Sequence, residues 1–151
     1  MKVSYMDKQF RKFQQKDIEQ LKEICDNCFP NKDVFLIVES FFDTEHFYIV
    51  ENQDELLGFI IFAVNSKNII HIMILAVKSI YQRKGIGSYL LDKIEPIIQK
   101  TNTRKIRLEV QTDNEVAIDF YKKHGYIIAT TIDHYYEDGS DAFLMIKEIE
   151  S

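Results

Sequence analysis

Cysteine is scarce in this chain: Cys25 and Cys28 are the two among 151 residues. No second cysteine pair and no nearby histidine completes a zinc set, and no strand precedes the pair to support a redox motif. They read as reduced helix cysteines that face or flank the core, and no metal is implied. Basic charge is also short, with 19 Lys and Arg against 24 Asp and Glu, a net charge of −5. A nucleic-acid partner needs a basic face, so that class is excluded. No apolar run is long enough to cross a membrane, and Met1 to Gln9 is mixed and polar, unlike a secretory leader. The expectation is a cytoplasmic protein with no membrane partner. With two prolines and five glycines, the chain has no Pro- or Ser-rich linker, and no repeat or low-complexity tract is visible. A length of 151 residues with 46% hydrophobic side chains suits one domain. Residues 1–8 read as a loose tail and 9–151 as the domain, with monomer and homodimer both left open.

Apolar spacing then orders the elements. Phe10 to Phe13 is a short strand, and Ile18, Leu21, Ile24, Cys25 and Cys28 mark a helix that Phe29-Pro30-Asn31 ends. A second helix runs from about Asp33 to Phe42. Strands follow at His46–Glu51, Glu55–Val64 and Ile69–Val77. The third of these is apolar on both faces and therefore central. A helix covers about Gly85 to Lys100, and Pro96 should kink or end it. A strand at Lys105–Val110, a helix at Asn114–His124 and a closing hairpin, Tyr126–Asp133 with Asp141–Glu148, complete a mixed α/β sheet.

The run from Leu75 to Leu91 carries the most chemistry. A strand ending Leu75-Ala76-Val77 leads into Gln82-Arg83-Lys84-Gly85-Ile86-Gly87-Ser88 and then a helix. Two glycines let the backbone approach an anion, and the first N–H groups of the helix point at it. No Gly-Lys-Ser/Thr triplet makes this a Walker loop, and no acidic residue completes a dinucleotide fingerprint. The loop resembles the pyrophosphate loop of the GNAT superfamily of acetyl-CoA-dependent N-acetyltransferases. A second stretch, Leu108 to Tyr126, places a capping Asn114 before a helix carrying Ala117, Phe120 and Tyr121. It resembles the second motif of that superfamily, in which the Asn and Tyr border the CoA thiol. The resemblance covers about Phe10 to Lys147. It implies a GNAT fold, a single mixed and mostly antiparallel sheet of about seven strands with about four helices, and acetyl-CoA as cofactor.

The ending His134-Tyr135-Tyr136-Glu-Asp-Gly-Ser-Asp-Ala looks like the N-terminal α-amine acetyltransferases, including the bacterial ribosomal-protein-alanine enzyme. The resemblance implies that the hairpin and the loop at Phe29, Pro30 and Asn31 clamp the N-terminus of a peptide or protein. An α-amine, with a pKa of about 7.7–8.0, needs only a mild base. Glu109 is the candidate base and Tyr121 the candidate acid, roles that the resemblance gives to these residue types. His71, on the central strand facing with Met73 and Leu75, is a second candidate for proton relay. The resemblance further implies a backbone N–H near Leu75 to Val77 as donor to the thioester carbonyl. A small amine or a lysine side chain is the alternative acceptor, and an acyl-CoA sensor without turnover is the reading from another class.

Overall fold

Residues spaced three and four apart put one apolar stripe on helix α1 (Ile18–Cys28), and its Leu21, Ile24 and Cys25 are at most 1% exposed. The chain stops there because Phe29 leaves helical geometry ahead of Pro30. This computed structural model describes residues 7–30 and 32–149. Asn31 and most of the expected tail at 1–8 therefore lie outside the described residues.

The strands are β1 (Gln9–Lys12), β2 (Phe47–Asn52), β3 (Glu55–Val64), β4 (Ile69–Val77), β5 (Lys105–Gln111), β6 (Ile127–Ile132) and β7 (Ala142–Glu148). The other helices are α2 (Val34–Glu39), α3 (Ile86–Gln99) and α4 (Glu115–Lys123). The strands hydrogen-bond in the order β1-β2-β3-β4-β5-β7-β6, which puts β4 in the expected central place. β1–β2, β2–β3, β5–β7 and β6–β7 are antiparallel and β4–β5 is parallel. The expected mixed, mostly antiparallel sheet of seven strands with four helices is what the structure shows. Among the described residues, no helix is long and apolar enough to cross a membrane.

Two compact units share the chain, and β4 contributes to both. The first holds the described residues up to Ala63 together with Met73–Ile97. Its core joins α1 and α2 to β2, β3 and the end of β4 through Leu21, Ile24, Val38, Phe47, Ile49, Phe59 and Ala76. Phe13 stacks on Phe42 and Phe47 at centroid distances of 4.8 and 4.5 Å, closing one end. Gly58 in β3 stands next to a register shift, as a bulge in this strand predicts. Space decides the residue: a Cβ there would lie 2.6 Å from the carbonyl oxygen of Ala76. Gly58→Val should therefore push β4 away and destabilise the fold by about 2 kcal/mol or more, measured by urea denaturation. A loss below about 0.5 kcal/mol would show that the strands have slack there.

The second unit holds Val64–Ile72 and the described residues from Ile98 onward. Strict alternation along β5 buries Ile106, Leu108 and Val110 on one face and leaves Arg107, Glu109 and Gln111 on the other. The β6–β7 hairpin pairs Ile127 with Ile146 and Ile132 with Ala142.

One element differs from its expected extent, and two others settle points of detail. α2 stops at Glu39, because Phe41 and Phe42 form i→i+3 bonds to Val38 and Glu39 rather than a further α turn. α3 does not end at Pro96 but runs on to Gln99. β4 is sided rather than apolar throughout: Ile70, Ile72 and Ala76 are buried while His71 is half-buried and Met73 is 37% exposed.

Candidate active site

In the first unit the cofactor loop is built on the end of β4. The Val77 carbonyl accepts from Cys28 Sγ at 3.1 Å and from Gln82 Nε2 at 3.0 Å. Asn27 Oδ1 accepts from both the backbone N–H and the hydroxyl of Ser79, and Glu55 accepts from Tyr81 Oη at 2.7 Å and Lys78 Nζ at 3.2 Å. These bonds fix the turn that launches the loop. Arg83 and Gly85 then take left-handed backbone angles, φ +63° and +84°. Glycine meets that demand without strain, and nothing lies within 4 Å of where its Cβ would be. Ile86, 1% exposed, anchors the first turn of α3, and the Tyr89 N–H closes onto the Gly85 carbonyl at 2.9 Å. Gln82, Arg83, Lys84 and Gly85 remain exposed. An open, cationic loop opening a 14-residue helix fits the diphosphate of acetyl-CoA. Gln82, among the expected cofactor residues, uses one side-chain amide N–H on the Val77 carbonyl.

Neighbouring side chains in this unit do less than the sequence suggests. Phe29 packs on the core beneath α1 and α2, whereas Pro30 is exposed. Cys25 and Cys28 are free thiols, and burial pushes Cys25 up to about 12 and raises Cys28 as well. They are protonated packing residues, as expected of helix cysteines beside a core.

The second unit gathers most of the expected chemistry. The parallel β4–β5 ladder has its last pair at His71 and Arg107, so His71, Arg107 and Glu109 share one face. His71 Nε2 lies 2.6 Å from Glu109 Oε2. An ionised carboxylate can only accept, so Nε2 carries a proton. Arg107 Nη2 approaches Glu109 Oε1 at 3.4 Å, and the Tyr135 phenol is near enough to favour the ionised carboxylate. Burial alone would raise the Glu109 carboxyl, whose side chain is 5% exposed. The His71 hydrogen bond, the Arg107 charge and the Tyr135 phenol together outweigh burial and hold it below the usual carboxylate range.

Tyr135 and Tyr136 leave β6 in the turn before β7, with their rings edge to face at 4.9 Å. The turn is tied by His134 N–H to Asp141 Oδ1 (2.9 Å), by His134 Nδ1 to the Gly139 carbonyl (3.0 Å) and by Gly139 N–H to the Tyr136 carbonyl (2.9 Å). His134 is thus a turn residue, with φ +53°. Burial, then the neighbouring Tyr135 and Glu109, push Tyr136 up to about 12. Asn114 caps α4 by accepting from Ala117 N–H at 3.2 Å. That helix carries Tyr121, packed edge to face on Phe120 and Tyr126. Burial and Tyr136 raise the Tyr121 phenol well above its ordinary range. It keeps its proton at neutral pH, as a donor must.

His71, Glu109, Tyr135 and Tyr136 are therefore one cluster, and Tyr121 lies within electrostatic range of Tyr136. Sequence reasoning named all five but missed Arg107. Its position two residues before Glu109 on the same strand face was the available signal.

The acetyltransferase (GNAT) family pattern matches residues 12–126. An N-alpha-acetyltransferase of Sulfurisphaera tokodaii is 32% identical over 143 residues, covering 85% of this chain and 86% of that protein. Among solved structures, Ard1 from Thermoplasma volcanium superposes with a TM-score of 0.89 at 30% identity, over 96% of this chain and 99% of the other. Naa50 of Arabidopsis thaliana, solved in complex with the bisubstrate analogue CoA-Ac-MVNAL, gives a TM-score of 0.80 at 30% identity, over 95% and 99%.

Proposed function

Since the chain belongs to the acetyltransferase (GNAT) family and is an acetyl-CoA-dependent N-acetyltransferase, we propose that its acceptor is the N-terminal α-amine of a peptide or protein. One observation carries this reading: His71 Nε2 lies 2.6 Å from Glu109 Oε2, and the Tyr135 phenol on the hairpin turn is near enough to act on that carboxylate. An aromatic pair on a tied turn, beside the proton-handling group, suits a clamp for an extended backbone whose first atom is the reacting amine. The relatives that carry the N-alpha-acetyltransferase name support it.

Acetyl-CoA supplies the activated acyl group as a thioester. Gly85, Ile86, Gly87 and Ser88 present the start of α3 to its diphosphate, with Arg83 and Lys84 adding charge. His71 Nδ1 takes the proton from the attacking amine. Glu109 holds the imidazole by Nε2–H and steadies the positive charge that forms. Its depressed pKa suits an anion that orients a base better than one that is itself the base. Tyr121, kept protonated by burial, supplies a proton to the leaving sulfur. The N–C bond forms, the C–S bond breaks, and one proton moves at each end.

The test is CoA release with short peptides that differ only in a blocked or free α-amine and all carry one lysine. The reading predicts turnover that disappears on blocking. Turnover that survives blocking would reassign the acceptor to the lysine side chain.

A further inference from the structure

Arg107 is the one member of the cluster to which the chemistry above gives no part in proton transfer. It stands opposite His71 in the β4–β5 register and two residues before Glu109 on the same face. Its Nη2 reaches Glu109 Oε1 at 3.4 Å, long for a charge-assisted bond. Its Nε is buried without a hydrogen-bond partner, yet its side chain is 42% exposed. A structural ion pair would spend the guanidinium fork on the carboxylate, as Arg11 does with Asp17 through Nη1 and Nη2 at 2.9 and 2.8 Å. Glu109 is already supplied by His71 at 2.6 Å. Arg107 is thus held beside the amine site at a cost, with donors to spare and a partly open head.

We infer that Arg107 is a specificity-determining residue, selecting acceptors that carry a carboxylate side chain on their first or second residue. The inference rests on the α-amine reading. Once the amine lies against His71, the next Cα is one bond away and the following one about 3.8 Å further. An Asp or Glu side chain at either position can reach a guanidinium that touches the Glu109 carboxylate. A planar fork takes a carboxylate through two parallel bonds, which an amide of the same shape cannot match.

The experiment measures kcat/KM for lysine-free peptides in matched pairs, Asp against Asn and Glu against Gln, at the first and then the second position. The wild-type protein should favour the acid by about 10- to 100-fold at one of these positions. Arg107→Met should bring that ratio to about one, Arg107→Lys should retain part of it, and Arg107→Glu should invert it. Thermal melting of each variant reports whether it is folded. Ratios near one in the wild type, with both members of each pair acetylated, would overturn the inference and leave the α-amine reading intact. A preference unchanged in Arg107→Met would overturn it as well. No turnover on any of these peptides, with turnover on an α-blocked peptide containing lysine, would instead remove the α-amine reading beneath it.

Discussion

Replacing His71 by Gln should lower kcat by about 10²- to 10⁴-fold with little change in acetyl-CoA affinity. On the proposed mechanism the imidazole takes the amine proton, whereas acetyl-CoA is held by the separate loop at residues Gln82–Ser88. Glu109→Gln should cost a comparable factor by a different route. The amide can still contact Nε2, but it no longer favours a protonated imidazole, and it can hydrogen-bond the wrong tautomer. Because the two side chains act through one 2.6 Å contact, the double variant should be little worse than either single one. Steady-state kinetics with a fixed peptide, together with acetyl-CoA titration, check all three proteins. Additive losses would mean that His71 and Glu109 act separately. An unaffected His71→Gln would return the base role to Glu109.

The second large effect is on stability. Arg11 in β1 bonds the Asp17 carboxylate through Nη1 and Nη2, and Glu51 in β2 through Nε and Nη2 at 2.9 and 3.0 Å. Asp17 also accepts from the Gln14 N–H at 2.8 Å, and its side chain is 2% exposed. Arg11→Met leaves two carboxylates without their counter-charge in a largely enclosed place, and should cost about 3–5 kcal/mol in chemical denaturation. Adding Asp17→Asn and Glu51→Gln should recover much of it, since uncharged partners no longer need the guanidinium. For Asp17, burial alone would raise the carboxyl, but the bonds from Arg11 and Gln14 win and lower it. For Glu51 the Arg11 bond dominates, burial opposes it, and the result is again lowered. Carboxyls depressed in the folded state stabilise it above the ordinary carboxylate range and lose that contribution as pH falls through their folded values. The wild type should therefore weaken toward low pH. In Arg11→Met burial is left to raise the same groups, so the gap between the two proteins should narrow on acidification. A loss under 1 kcal/mol at neutral pH would mean the cluster is solvated in practice.

These two cases mark where sequence reading succeeds and where it stops. β3 and β4 begin and end where their apolar runs do, because strand length is set locally by Asn52-Gln-Asp54 and by Asn65 to Asn68. The loop at Gly85 and the Asn114 cap were legible for the same reason: a left-handed backbone angle and an unpaired helix N–H are demands that one residue type answers. Pro96 was not decidable, since helical context on both sides can absorb a lost N–H. His71 and Glu109 were each suspected, but their contact depends on a parallel register between strands separated by a whole helix. Register is a property of two strands at once and leaves no signal in either. The Arg11 cluster was invisible for that reason too, because its members come from β1, the turn before α1, and β2. Arg107 looked like any strand arginine until Glu109 was placed two residues along the same face.

The central claim is that the acetyl group goes to an α-amine. The most direct measurement is fragmentation mass spectrometry of a peptide with both a free N-terminus and a free lysine, after one turnover-limited incubation with acetyl-CoA. The account predicts the added acetyl on fragments that contain the first residue. An acetyl group found on the lysine, with the N-terminus unmodified, would contradict it.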